Sequence, residues 1–135
     1  MHKFIFTLLF LAINTSFAAE RMPKEVNLEK LYQRYVKEGY LMMDFPEFDK
    51  RISISGVAIE LSQGFKRGPD SAKGGALLKA GVAGSNNVLA RLVARDAVNA
   101  EKMEALSGGA AFKATCTVAF SSGANYIPLQ DCVFH

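Results

Sequence analysis

The chain has 135 residues, 50% of them hydrophobic and 21% charged, with 16 basic and 13 acidic side chains and a formal net charge of +3. That composition supports one small domain with a modest core. It lacks the strong basic excess of a dedicated nucleic-acid binder.

Residues 1–18 read as a secretory signal. His2 and Lys3 form a short polar start, residues 4–13 are apolar, and Ser16-Phe17-Ala18 places small residues at the two positions a signal peptidase inspects. Cleavage is expected between Ala18 and Ala19. The apolar run is too short for the roughly 20 residues a membrane-spanning helix needs, so no transmembrane anchor is expected. No cysteine follows the cleavage site, which argues against a lipid anchor. Losing 18 of the 135 residues leaves 117, and losing Lys3 lowers the net charge from +3 by one. The expected location is the periplasm or the medium, an oxidising compartment.

Residues 20–26 are polar, contain Pro23 and read as a lead-in. From Asn27 the apolar residues Leu28, Leu31, Tyr32, Tyr35 and Val36 fall at i, i+3, i+4, i+7 and i+8, the stripe of an amphipathic helix. Asn27 suits the N-cap, Glu29 the positive end of the helix dipole and Gly39 the stop. The two tyrosines pack the helix on a sheet; an aromatic binding platform is the alternative. Residues 40–50 are apolar but interrupted by Pro46, and read as a covering loop. Its Met42, Met43, Phe45 and Phe48 either fill gaps in the core or, if exposed, form a patch for a partner.

Residues 51–61 give the first confident strand. Ile52 and Ile54 share one parity, Val57, Ile59 and Leu61 the other, and the switch falls at Gly56, where a bulge or bend is expected. Residues 62–75 form a turn-rich loop in which Phe65, Lys66, Arg67 and Lys73 could grip an anionic ligand, or could simply be solvated. The order of lysine and hydroxyl residues that a phosphate-binding P-loop needs is missing. Strands follow at 76–83 and 88–93, then a short helix over 96–106 capped at Asp96 or Asn99 and stopped at Gly108-Gly109.

Residues 112–120 alternate, with Phe112, Ala114, Cys116, Val118 and Phe120 on one face, and residues 126–134 read as the returning strand. A turn centred on Ala124 sets Cys116 opposite Cys132, within disulfide reach. A cross-strand disulfide is the leading reading, two buried free thiols the alternative. With no histidine between them, the cysteines make a poor zinc set.

The order is therefore helix, long bent strand, two strands, short helix and two strands. The expected fold is mainly β: a five-stranded OB-fold-like barrel with an N-terminal amphipathic helix and a short helix between strands 3 and 4. Residues 19–50 would supply lead-in, helix and covering loop, and 51–135 the barrel. The helix with spaced aromatics, the run FDKRISISGVAIEL, the cysteine in the fourth strand and the ending DCVF together resemble the bacterial tRNA anti-like OB-fold family. That resemblance spans roughly residues 27–134 and implies exported barrels with a nucleic-acid-binding ancestry. Leu129, Asp131 and Cys132 fit it best, whereas Phe48 stands where the family has tyrosine and Asp49-Lys50-Arg51 departs from its glycine-lysine.

After cleavage the only histidine is His135, which leaves no internal base for a nucleophilic mechanism. Asp44, Glu47 and Asp49 surround Pro46 and suit a solvated loop better than a carboxylate pair. The expectation is a non-enzymatic binding module without metal or cofactor. Its ligand would be an anionic oligomer, an oligonucleotide or an acidic glycan, gripped by Phe65, Lys66, Arg67, Lys73, Asn125 and Tyr126; export disfavours the nucleic acid. The alternative is an accessory subunit of a cell-envelope complex, docking through Met42, Met43, Phe45 and Phe48.

Overall fold

The computed structural model describes residues 25–63 and 76–135. Six strands and two helices follow one another in these residues: β1 (Glu25–Asn27), α1 (Leu28–Lys37), β2 (Arg51–Gln63), β3 (Ala76–Gly81), β4 (Ala90–Ala94), α2 (Ala97–Glu104), β5 (Ala111–Val118) and β6 (Ile127–Phe134). The sheet runs β1-β2-β3-β4-β6-β5, and a β2–β5 pairing closes the five long strands into a barrel. α1 precedes the barrel and α2 lies between its third and fourth strands, as expected. The expected signal segment lies outside the described residues, and no helix among the described ones is long and apolar enough to cross a membrane.

Closure depends on the length of β2. Its first half, Arg51 to Val57, pairs with β5, and its second half, from Val57 to Gln63, pairs with β3. Because β3 stops at Val57, the first half of β2 has a free edge, and β1 fills it in parallel with Val26 opposite Ile54. The expected lead-in thus ends in a strand. Three residues are too few to show a period, so only the vacancy on β2 reveals it.

The parity change in β2 also differs from expectation. Ile52, Ile54 and Ala58 are all buried on one parity, and the register breaks between Ala58 and Glu60, so the bulge is at Ile59. Beyond it Leu61 packs on the core. Gly56 serves a different end: a Cβ there would lie 3.1 Å from Leu28 Cδ2 and 3.2 Å from the Gly81 carbonyl oxygen. It lets α1 approach the barrel.

Asn27 caps α1 by accepting the Glu29 amide proton at 2.9 Å, and Leu28, Leu31 and Tyr35 are fully buried. Gly39 ends the helix with φ 68. Asp96 caps α2, accepting from the backbone N and Nδ2 of Asn99 at 2.9 and 2.8 Å. Those two bonds hold the Asp96 carboxyl below the usual carboxylate range. Asn99, the other capping candidate, instead accepts from the Phe134 amide at 2.9 Å and ties α2 to the end of β6.

Cys116 and Cys132 form a disulfide, both fully buried, with Cα atoms 4.2 Å apart. Ala114 faces Phe134 and Thr115 faces Val133, the register a turn at Ala124 requires. Nearer the turn the register slips, with Thr117 opposite Gln130, and Asp131 at φ 52 takes up the extra residue. β5 ends at Val118, so Phe120, expected on the inner face, is exposed and meets Phe48 edge-on at 6.1 Å.

Candidate ligand cleft

β4 carries the sequence ARLVA, whose Ala90 and Leu92 are fully buried. Alternation turns Arg91 to the outer face, level with Lys79 on β3 and Pro128 on β6. Lys79 pairs with Glu60 at 3.5 Å. Arg91 has no carboxylate partner among the described residues; its guanidinium sits 4.1 Å over the centroid of the Tyr126 ring, and its Nε is buried without a hydrogen-bond partner.

Tyr126 stands at the end of the β5–β6 loop, residues 119–126, and α1 holds that loop in place. The Tyr35 hydroxyl donates to the Ala124 carbonyl at 2.7 Å, and the Tyr32 hydroxyl donates to the Asn125 carbonyl at 3.0 Å. Tyr35 is locked by edge contacts to Tyr40 and Phe45, with centroids 5.6 and 5.5 Å away. Burial, and then the neighbouring Tyr40 and Tyr35, raises the Tyr32 phenol above its ordinary value, so it remains a proton donor at neutral pH. The tyrosine pair both packs the helix and clamps the loop.

These groups enclose a cleft of about 340 Å³ lined by Tyr32, Asn87, Val88, Leu89, Arg91, Asn125 and Tyr126. An arginine stacked on one ring, with a second phenol and main chain around it, offers a charge and flat surfaces together.

Of the residues expected to bind ligand, Asn125 and Tyr126 line this cleft, whereas Phe65, Lys66, Arg67 and Lys73 lie outside the described residues. Arg91 was not anticipated, although a lone charge inside an otherwise small and apolar strand run is the signal that marks it. The expected partner patch needs correction. Met42, in a short 3₁₀ turn, and Phe45 are 1% and 2% exposed, because both belong to the buried core, Phe45 edge-on to Tyr35. Phe48 is partly buried. The apolar surface there consists of Leu41, Met43 and Phe120, around a shallow pocket of about 250 Å³.

The three acids do not form an exposed set, since Glu47 is tied to Arg34 while Asp44 and Asp49 are exposed. His135 Nε2 lies 2.8 Å from the Thr115 hydroxyl, and neither residue lines the cleft. Among the described residues no three His, Cys, Asp or Glu side chains are grouped to hold a metal.

The closed five-stranded barrel with a helix after its third strand, and a cleft beside its fourth-to-fifth-strand loop, is an OB-type architecture. Its likeness to a lipoprotein of Klebsiella pneumoniae, provisionally named nucleic acid-binding, covers 88% of this chain and 97% of that one with a TM-score of 0.63. At 14% sequence identity the two share a fold. No protein-family model matches the chain, and no curated protein matches it significantly in sequence.

Proposed function

We propose that the protein is an exported, non-enzymatic binding module that takes an anionic oligomer into the cleft between β4 and the β5–β6 loop. The stack of Arg91 on Tyr126 carries this reading: the guanidinium, paired with no carboxylate among the described residues, meets an acidic group of the ligand, and the Tyr126 and Tyr32 rings meet flat bases or sugar faces. Lys66, Arg67 and Lys73, which lie outside the described residues, are the further cations this reading assigns to the ligand. The provisional name of the Klebsiella lipoprotein and the resemblance to the tRNA anti-like family support a binding role. The disulfide supports export.

Fluorescence anisotropy of a labelled single-stranded oligonucleotide and of a sulfated oligosaccharide tests the reading. At least one binds saturably, and Arg91→Ala and the pair Lys66→Ala/Arg67→Ala each weaken it about tenfold or more, the order of one desolvated cation–π or ionic contact. Absence of binding, or variants equal to the parent, overturns it. Intact mass of the secreted form, starting at Ala19, tests the export step.

A second reading rests on Leu41, Met43 and Phe120, which are 56%, 75% and 61% exposed. Such a patch suits an accessory subunit of an envelope complex. Recovery of a partner from envelope extracts that Met43→Asp/Phe120→Asp abolishes supports it; a monomer unaffected by those changes removes it.

A further inference from the structure

On the other flank of α1 lies a larger groove, about 1140 Å³, bordered by α1, β1 and the start of β2. Lys30, Arg34 and Lys37 repeat at i, i+4 and i+7, a stripe about 150° round the helix from Tyr32 at 100° per residue, and Arg51 joins them from β2. Two carboxylates also line the groove, and each has a cation on one oxygen: Glu47 pairs with Arg34, its other oxygen buried without a hydrogen-bond partner, and Glu25 pairs with Lys113 at 3.4 Å. Arg51 donates to the carbonyls of Asp131 and Thr115 and to the Thr117 hydroxyl at 3.1, 3.4 and 3.3 Å, so it is held firmly while no carboxylate cancels its charge. Lys30 and Lys37 make no ion pair with any described residue. The groove therefore carries an uncompensated positive charge.

We infer that this groove docks an acidic, extended segment of a partner protein. Its size exceeds the roughly 300–1,000 Å³ of a small-molecule pocket, which suits a length of chain. No aromatic ring lines it, so it lacks the stacking surface by which single-stranded nucleic acids and sugar rings are held. β1, on its rim, is the terminal strand of the sheet and pairs only with β2 among the described residues, leaving main-chain donors and acceptors for an extended chain. The inference is independent of the cleft and of what the cleft binds.

The test uses the full exported chain and a fluorescein-labelled glutamate-rich peptide, followed by anisotropy, with the labelled oligonucleotide as a second probe. The peptide binds saturably and more weakly as salt rises, because exposed charges are screened. Lys30→Glu/Lys37→Glu weakens peptide binding about tenfold or more, the scale of losing two ionic contacts, and leaves any oligonucleotide binding within about twofold. Both side chains are exposed, so an unchanged thermal midpoint verifies folding, and Lys30→Gln/Lys37→Gln gives an intermediate loss. Photocrosslinking from a benzophenone amino acid at Gln33 captures the peptide. No peptide binding, an unaffected double variant, or an equal loss for both probes overturns the inference; the last result would make the groove a general polyanion track.

Discussion

On one flank of α1, Tyr32, Arg91 and Tyr126 enclose about 340 Å³ of aromatic cleft; on the other, Lys30 and Lys37 border a groove of about 1140 Å³ that no ring lines. The groove is nearly local in sequence, since its walls are α1, the strand before it and the start of the strand after it. The cleft is assembled from distant parts: Tyr35 reaches Ala124 and Tyr32 reaches Asn125 across sequence separations of 89 and 93. Two sites on one helix therefore rest on different foundations. Changes in the β5–β6 loop should damage the cleft more than the groove, where only Arg51 leans on β5 and β6, whereas loss of the shared helix's packing should damage both.

The largest effect is expected from the shared element. Tyr35→Ala removes a fully buried ring and should cost about 3–5 kcal/mol, the range of other aromatic truncations, read from the urea midpoint. A loss below about 1 kcal/mol, within the spread of surface changes, would mean α1 is not the common wall. Next, Cys116→Ala/Cys132→Ala should cost about 2–4 kcal/mol and loosen the β5–β6 loop. Cleft affinity should then fall further than peptide affinity at the groove, where only Arg51 leans on β5 and β6; an equal fall would erase the distinction. Intact mass with and without reductant, after alkylation, checks that the parent carries the bond.

Tyr35→Phe sharpens the comparison with less damage. It removes only the hydroxyl that donates to Ala124, at about 1 kcal/mol, and should weaken the cleft without touching the groove. The smallest effect is expected at Asp96, which lines neither cavity. Its folded pKa is depressed, so its contribution is present at neutral pH, above the unfolded value, and fades as pH falls through the folded one. Asp96→Asn keeps a cap but cannot ionise, and should flatten the acid limb of the thermal midpoint against pH while both cavities keep their affinities. An unchanged acid limb would count against the capping bonds as the cause.

What could be read from the chain follows the same division between local and distant. The stripe of α1, the cap at Asp96 and the pairing of Cys116 with Cys132 are written in short periods and one turn, and the structure bears them out. The position of the bulge was not, because Gly56 looks like a bulge residue and its reason, the approach of Leu28, lies in another element. Met42 and Phe45 sit in an aperiodic loop, so nothing in their spacing tells buried from exposed. Arg91 becomes part of a site only because β6 lies beside β4 and brings the loop ending in Tyr126 with it. Asn125 and Tyr126 were legible as residues of a turn next to a strand, but not as the far side of a cleft whose near side is a helix.

The double pairing of β2 also bears on how quickly the molecule can form. The β5–β6 hairpin joins cysteines 16 positions apart, so bringing them together has a small entropic cost. Barrel closure must bring Arg51 to Thr117 and Ala90 to Ile127, and neither contact gains anything until a long stretch of chain is immobilised. The covalent step is thereby available before the slow one. A chain crossing into an oxidising space unfolded would carry its staple while still searching for its barrel, and the search would be shorter for it.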